Sequence, residues 1–391
     1  MIDLLQKPGS AVKIKPKIWL SSPHMGKREQ EFINEAFQGN WIAPIGPNID
    51  GFESALADYL EDDKYVVALN SGTAAIHLAL ILLGVGKDDE VMCQSMTFSA
   101  SANPIVYQGA IPVFIDSEPD TWNMSPEHLE IAIKHRLRKG KKVKAIIVVH
   151  LYGMPAKMNE ICQIAEKYEI PIIEDAAEAM GSSYDGKKMS TFGRFACISF
   201  NGNKIITTSG GGALVCQNRK DAENARFLAT QARDPAPHYQ HSQIGYNYRM
   251  SNICAGIGRG QLMVLNERVA ARREIFNRYK TVLQRYPGIS FQPEPIGTSS
   301  NRWLTTMLID PYLSHCHVTQ EQLRHILEAE NIETRPLWKP LHMQPVFKDA
   351  PYFGEGISEE LFHKGICLPS GSNMSLGDIR MIIGKITASF K

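Results

Sequence analysis

The stretch "FACISFNGNKIITTSGGGALVC", residues 195–216, places one lysine, Lys204, between an apolar run ending at Phe200 and a run of hydroxyls and glycines that leads into a second apolar run. Both apolar runs read as strands buried on two faces, because their apolar residues follow one another with little alternation. The glycines let the backbone turn tightly between them. A lysine at such a strand end serves as a solvated cation, a phosphate clamp or a covalent nucleophile. The P-loop form of the clamp is excluded, since G-x-x-x-x-G-K-[ST] does not occur.

Upstream, "VVALN" (66–70), "EVMCQS" (90–95), "IPVFID" (111–116), "AIIVVH" (145–150) and "IPIIEDA" (170–176) have the same character, with helical patterns at 73–84, 125–139 and 157–168 between several of them. This alternation predicts an α/β fold: a mostly parallel seven-stranded sheet with helices on both faces. The segment "TAAIHLALILLG" (73–84) is apolar almost all round, which predicts a helix buried against that sheet. One long helix is expected over 252–285, with the domain boundary inside or just after it. Residues 1–262 then form an N-terminal arm and a large domain, and 263–391 a smaller α+β domain with a strand near 302–309 and helices near 319–330 and 375–389. "GIGRG" (256–260) imitates a dinucleotide fingerprint, but Gln261 breaks it and no strand precedes it.

Composition excludes several classes. Lys+Arg 42 against Asp+Glu 41 gives no global field for nucleic acid or an anionic membrane, so any phosphate must be held by placed groups. No run approaches the ~18 apolar residues of a membrane span. The opening "MIDLLQKPGSAVKIKPK" lacks the apolar core of a signal peptide. The seven cysteines are scattered without a C-x-x-C, which argues against an iron–sulfur or structural zinc site and for a cytoplasmic protein. The pairs His238/His241 and His315/His317 have no third ligand nearby, so no metal is expected.

Three loops at the C-terminal ends of predicted strands carry unusual residues, on the edge where open α/β sheets bind ligands. In "LNSGTAAIH" (69–77) a helix starts near Thr73, offering free amides and a positive dipole end to a phosphate, or simply a cap by Ser71 or Thr73. In "IPIIEDAAEAMG" (170–181) Glu174 and Asp175 end an apolar strand, where a buried carboxylate needs a cation. A protonated ring nitrogen or a structural Arg or Lys would serve. The third loop holds Lys204, with Ser199 just before it. Phosphate seat, carboxylate and lysine are together the three needs of pyridoxal 5'-phosphate (PLP).

The segments "NWIAPIGP" (40–47), "NSGTAAIHLAL" (70–80), "TFSASANPI" (97–105), "HLYGMPAKM" (150–158), "IEDAAEAMG" (173–181), "FGRFACISFNGNK" (192–204) and "GYNYRMSN" (245–252) run in order along the chain. In them the sequence resembles the DegT/DnrJ/EryC1/StrS family of PLP-dependent sugar aminotransferases, which have the aspartate aminotransferase fold (fold type I). By that resemblance Lys204 carries the cofactor as a Schiff base and later moves the proton. Asp175 meets the pyridine nitrogen, Phe98 stacks on the ring, and Gly72, Thr73 and Ser199 hold the phosphate. Glu178 lies near the 3-hydroxyl, where many relatives have Gln or His. Asn247 reaches in from the partner of a homodimer. Some relatives replace the lysine by histidine and eliminate water, and some of those add an iron–sulfur cluster. Lys204 and the unclustered cysteines therefore favour transamination, and a decayed regulator is disfavoured because Lys204 and Asp175 are both present.

"NWIAPIGP", the Lys204 loop and "RPLWKPLHMQP" (335–345) are most similar to C4 aminotransferases of bacillosamine and exopolysaccharide pathways. The resemblance implies UDP-2-acetamido-2,6-dideoxy-4-hexulose as acceptor and L-glutamate as donor. Arg249 and His342 become candidates for the nucleotide diphosphate and sugar. Trp41 lines the sugar pocket or is a packed structural residue, and Arg335 and Lys339 are further phosphate candidates left unassigned. A 3-keto or dTDP-linked sugar, a cyclitol ketone, or a dehydratase reaction is the alternative.

Overall fold

A computed structural model describes residues 16–61, 63–313 and 317–390. The N-terminal stretch 1–15, His315 and Cys316 lie outside them. The seven expected strands form at β1 (Tyr65–Leu69), β2 (Glu90–Gln94), β3 (Ile111–Ile115), β4 (Val143–Val149), β5 (Ile172–Asp175), β6 (Phe195–Ser199) and β7 (Gly212–Cys216). Four more are β8 (Ile289–Phe291), β9 (Thr305–Ile309), β10 (Arg335–Pro336) and β11 (Tyr352–Phe353), and β12 (Gly365–Leu368) follows.

The large sheet has the order β1-β7-β6-β5-β4-β2-β3-β11. Only β7 runs against its neighbours, antiparallel to both β1 and β6. Its short connection from β6 is the Lys204 loop itself. The eighth strand, β11, pairs parallel to β3 through Tyr352↔Phe114 and Phe353↔Ile115. Two residues are too few for a sequence pattern, so this edge addition is the one departure from a seven-stranded sheet. It is fastened beside the sheet by Asp116. That buried carboxylate accepts from the backbone N–H groups of Glu355 (3.1 Å), Gly356 (2.8 Å), Ile357 (3.0 Å) and Ser358 (3.0 Å).

Helices α1 (Glu29–Gln38) and α2 (Pro47–Leu60) precede the sheet, and α3 (Gly72–Leu82) lies between β1 and β2. Every residue of α3 from Ala74 to Leu80 is buried, as its all-round apolar sequence requires. The sheet crossovers use α4 (Asn103–Tyr107), α5 (Pro126–Arg138) and α6 (Met158–Lys167), and α7 (Arg219–Ala229) follows β7. The expected long helix over 252–285 is two helices, α8 (Asn252–Leu262) and α9 (Leu265–Leu283). The "GIGRG" glycines sit inside α8, where a Cβ on Gly258 would lie 2.6 Å from the Phe52 ring and one on Gly260 2.7 Å from the Glu29 amide nitrogen. They permit close helix packing on α1 and α2. The chain then changes from small residues to the charged amphipathic pattern of α9, and the helix breaks at that change.

The last part of the chain forms an antiparallel sheet of order β8-β9-β12-β10 with α10 (Gln320–Ala329), α11 (Ile357–Lys364) and α12 (Leu376–Ser389). Its core joins Ile275, Phe276 and Tyr279 of α9 to Met307, Leu323, Ile366 and Ile382. Among the described residues no helix is long and apolar enough to cross a membrane, and no group of three His, Cys, Asp or Glu side chains is placed to hold a metal ion.

Candidate active site

A cleft of about 890 Å³ opens at the C-terminal ends of β1, β5 and β6. Ser71 caps α3 at its floor, its Oγ accepting from the Ala74 N–H at 3.1 Å. The amides of Gly72 and Thr73 thus begin a helix, where N–H groups have no intrahelical acceptor and the dipole favours an anion. Gly72 also lies directly against β6: a Cβ there would stand 3.1 Å from the Ser199 Cβ. Folding therefore brings the Ser199 hydroxyl beside the helix start.

The acidic pair on β5 is divided by the pleat, since successive side chains leave a strand on opposite faces. Asp175 faces the cleft, its Oδ2 accepting from Ser101 Oγ at 2.6 Å and its Oδ1 from the Ala177 N–H at 3.2 Å. Ser101 is itself bonded to Thr97 Oγ1 at 2.8 Å. Glu174 turns away and takes the N–H groups of Ser190, Phe192 and Gly193 (2.9, 2.7 and 2.7 Å) and His150 Nε2 at 3.1 Å.

Lys204 enters from the β6–β7 loop. Its Nζ is 3.5 Å from Glu178 Oε1 and 4.1 Å from the centroid of the Trp303 ring. Its loop is pinned at Asn203, whose carbonyl accepts from Ser21 Oγ (2.7 Å) and Trp303 Nε1 (2.8 Å). Glu178 is buried and accepts the Tyr152 N–H at 2.7 Å. Burial pushes its carboxyl above the usual carboxylate range, and the nearby Lys204 cation and the Tyr152 amide only partly offset this. Phe98 is 54% exposed at the mouth, with Trp338 5.3 Å away.

Seven predicted residues line this one cleft: Gly72, Thr73, Phe98, Asp175, Glu178, Ser199 and Lys204. The other four lie elsewhere on the chain. The Arg249 guanidinium is committed to the buried Glu53 at 2.7 Å and to the Ala68 carbonyl at 3.1 Å. His342 bonds Ser95 Oγ at 2.6 Å and Glu359 at 3.1 Å and stacks on Tyr352 at 3.8 Å. Neither side chain reaches the cleft of its own chain, because each is taken up by a contact that holds segments together. Trp41 is half exposed in the loop before α2, and its carbonyl accepts from Asn252 Nδ2 at 2.7 Å. Asn247 offers its carbonyl to Asn70 Nδ2 at 3.1 Å, and Asn70 lines the cleft.

Ser101, Trp303 and Trp338 were not singled out from the sequence. Ser101 follows Thr97 by four residues within "TFSASANPI", a spacing that is a visible if weak signal. The two tryptophans come from distant segments with no local cue.

A helix start with free amides, a hydroxyl beside it, a carboxylate and a lysine amine in one cleft match the phosphate, the ring nitrogen and the aldehyde of PLP. The fold and this donor set define a PLP-dependent aminotransferase. Residues 23–387 match the model of the DegT/DnrJ/EryC1/StrS aminotransferase family, and the chain belongs to that family. It is 57% identical to EpsN of Bacillus subtilis (strain 168), a protein carrying the name of a pyridoxal phosphate-dependent aminotransferase, over 92% of each chain. It is 37% identical to the GDP-perosamine synthase of Caulobacter vibrioides, over 95% of this chain and 98% of that one. The crystal structure of a DegT DnrJ EryC1 StrS aminotransferase from Brucella abortus superposes with a TM-score of 0.85 at 30% identity, covering 93% of this chain and 95% of that one.

Proposed function

We propose that this sugar aminotransferase moves an amino group from L-glutamate to C4 of UDP-2-acetamido-2,6-dideoxy-4-hexulose, in bacterial glycan or polysaccharide biosynthesis in the cytoplasm. The observation that carries the chemistry is the lysine amine lodged between Glu178 and Trp303 in the cleft that also contains Asp175 and the start of α3. The sugar is argued from the likeness of "NWIAPIGP", the Lys204 loop and "RPLWKPLHMQP" to C4 aminotransferases. The division at 262/263 into a large and a small domain belongs to the same reading.

Bound PLP supplies the aldehyde that takes up the amino group and the ring that accepts electrons as a proton leaves carbon. The protein's part is assigned as follows. Gly72, Thr73 and Ser199 hold the phosphate, and Phe98 covers the ring. Asp175 keeps the ring nitrogen protonated, and Ser101 fixes that carboxylate through its 2.6 Å hydrogen bond. Lys204 would hold the aldehyde end through its amine and carry the proton on Nζ. Its contacts at 3.5 and 4.1 Å are loose enough to be given up. Glu178 lies by the 3-hydroxyl.

A homodimer is part of the proposal, with Asn247 serving the partner's site. Trp41 and Arg249 do not line the active cleft of their own chain, so a substrate role for either rests on that second copy; His342 has its own contacts and is given none.

A GDP-linked keto sugar is the second reading, favoured by the likeness to GDP-perosamine synthase. The experiment converts the holoenzyme with excess L-glutamate, removes the glutamate, and adds the UDP- or the GDP-linked 4-keto sugar. Return of the cofactor's visible absorbance, with an amino sugar seen by mass spectrometry, identifies the acceptor. No return with the UDP sugar, from protein that glutamate had converted, overturns the first reading.

A further inference from the structure

The edge of the sheet opposite the cleft carries a concentration of charge that the whole-chain balance conceals. Residues 134–144, "KHRLRKGKKVK", hold seven Lys and Arg and no Asp or Glu. They come out of 42 Lys+Arg set against 41 Asp+Glu, so the rest of the chain is net acidic. The stretch runs from the last turn of α5 through a tight turn into β4. That turn is fixed. Gly140 takes a φ of 68°, its N–H donates to the Leu137 carbonyl at 2.9 Å, and the Lys141 N–H donates to the Arg136 carbonyl at 3.1 Å. These are the two bonds that close a helix at a left-handed glycine. Arg136 itself belongs to the fold, since its guanidinium forks onto the buried Glu90 at 2.8 and 2.5 Å. Lys134 pairs with Glu130 at 3.1 Å.

The other five, Arg138, Lys139, Lys141, Lys142 and Lys144, have no ion-pair or hydrogen-bond partner for their side chains among the described residues. All but the partly buried Lys144 are exposed. The helix dipole accounts for cations in the last turn of α5, but its effect ends with that turn and does not reach Lys141, Lys142 or Lys144. The starts of the neighbouring strands add Asp88, Asp89 and Glu169, with Lys87 beside the first two. The Asp89 carboxylate is already occupied by the Gly86 N–H at 3.0 Å. Like charges held this close repel one another, and an anionic surface relieves that repulsion. Two aliphatic side chains stand among the cations, Ile131 46% and Leu137 44% exposed. Ile131, Lys134 and Arg138 follow at helical spacing on one face of α5, with Leu137 beside them. Cations set about exposed aliphatic groups fit a lipid headgroup layer, where the apolar atoms enter the acyl boundary and the cations meet phosphates. Residues 134–144 contain no Phe, Tyr or Trp on which a nucleic-acid base could stack.

We infer that the end of α5 and the turn into β4 form a docking surface for an anionic lipid bilayer. β4 runs parallel to β5, so its start at Val143 lies at the far edge of the sheet from the cleft, and docking leaves the cleft open to solvent. The net acidic remainder of the chain is repelled by the same surface, which selects this one orientation. The inference does not depend on which keto sugar the enzyme accepts.

Co-sedimentation of the holoenzyme with extruded vesicles tests it. The wild type pellets at low salt with vesicles of phosphatidylglycerol and phosphatidylcholine in equal parts, not with pure phosphatidylcholine, and is released as salt is raised. Lys141→Ala/Lys142→Ala weakens partitioning by about thirtyfold, at about fivefold for each charge. Leu137→Ser weakens it several-fold and leaves the salt dependence unchanged. Arg219→Ala/Lys220→Ala, which removes an exposed basic pair on α7, leaves partitioning as it is. Every variant keeps its melting temperature and its glutamate half-reaction within about twofold in rate, because these side chains face solvent away from the cleft. Wild type that ignores the mixed vesicles at low salt, or a Lys141/Lys142 variant that partitions as well as wild type, overturns the inference. Retention of a mixed-sequence single-stranded RNA in a gel shift, with no vesicle binding, also overturns it and gives the surface to nucleic acid.

Discussion

Glu174 and Asp175 are adjacent residues with the same functional group, and they occupy two different environments. Glu174 is wholly buried and saturated by three backbone N–H groups and His150. Asp175 has one hydroxyl and one amide and keeps a face on the cleft. The count of donors, set by which side of β5 each leaves, separates a carboxylate that holds the fold from one free to meet a ligand. The same contrast recurs among the cations: Arg249 is spent on Glu53, while the Lys339 ammonium has no partner among the described residues.

The comparison breaks most visibly at the cleft. Lys204→Ala is expected to slow the glutamate half-reaction on the order of a thousandfold, followed by the cofactor's absorbance, with little change in melting temperature. An active Lys204→Ala protein would remove the lysine from its assigned role. Next, Asp175→Asn should cost on the order of a hundredfold in that rate and little stability. Glu174→Gln should do the reverse, lowering denaturant stability by about 2–4 kcal/mol because an amide N–H then meets buried donors. If Asp175→Asn unfolds the protein and Glu174→Gln inactivates it, the division of labour is wrong.

Arg249→Met sharpens the contrast among the cations. It leaves the buried Glu53 with Arg226 and the Ala68 N–H, each at 2.8 Å, at a cost of about 3 kcal/mol in urea unfolding. An unchanged stability with a raised KM would return Arg249 to the substrate.

The smallest effect is a pH dependence at Glu178. Burial raises its folded-state value above the ordinary 4.5, so the stability tied to its protonated form is complete below that value and is lost as pH rises through the raised one. Cofactor-free protein carrying Glu178→Gln should therefore lose less stability than wild type from pH 4.5 upward, as measured by melting temperature. Parallel curves for the two proteins would show that Glu178 is not held protonated by its site.

Much of the fold was legible because it is written in local pattern. Seven apolar runs with little alternation became seven strands of one sheet, and an all-round apolar segment became the buried α3. The part that was not legible is short or non-local. β11 has two residues and forms only because Asp116 captures the start of α11. The break between α8 and α9 falls where the small-residue face packed on α1 and α2 gives way to the charged pattern of α9, and a helix-period reading of one segment does not contain that packing.

The site divides in the same way. Lys204, the start of α3 and the acidic pair stand at strand ends, so sequence alone determined that an amine, an anion seat and a carboxylate would share one sheet edge. Only the tertiary structure decided which carboxylate faces the cleft, because that depends on the pleat of β5 and on the donors packed behind it. It also decided that Arg249 and His342 are tied to neighbouring segments and that Trp303 and Trp338 wall the lysine. Those outcomes are contacts between residues far apart in the chain, and local propensity carries no record of them.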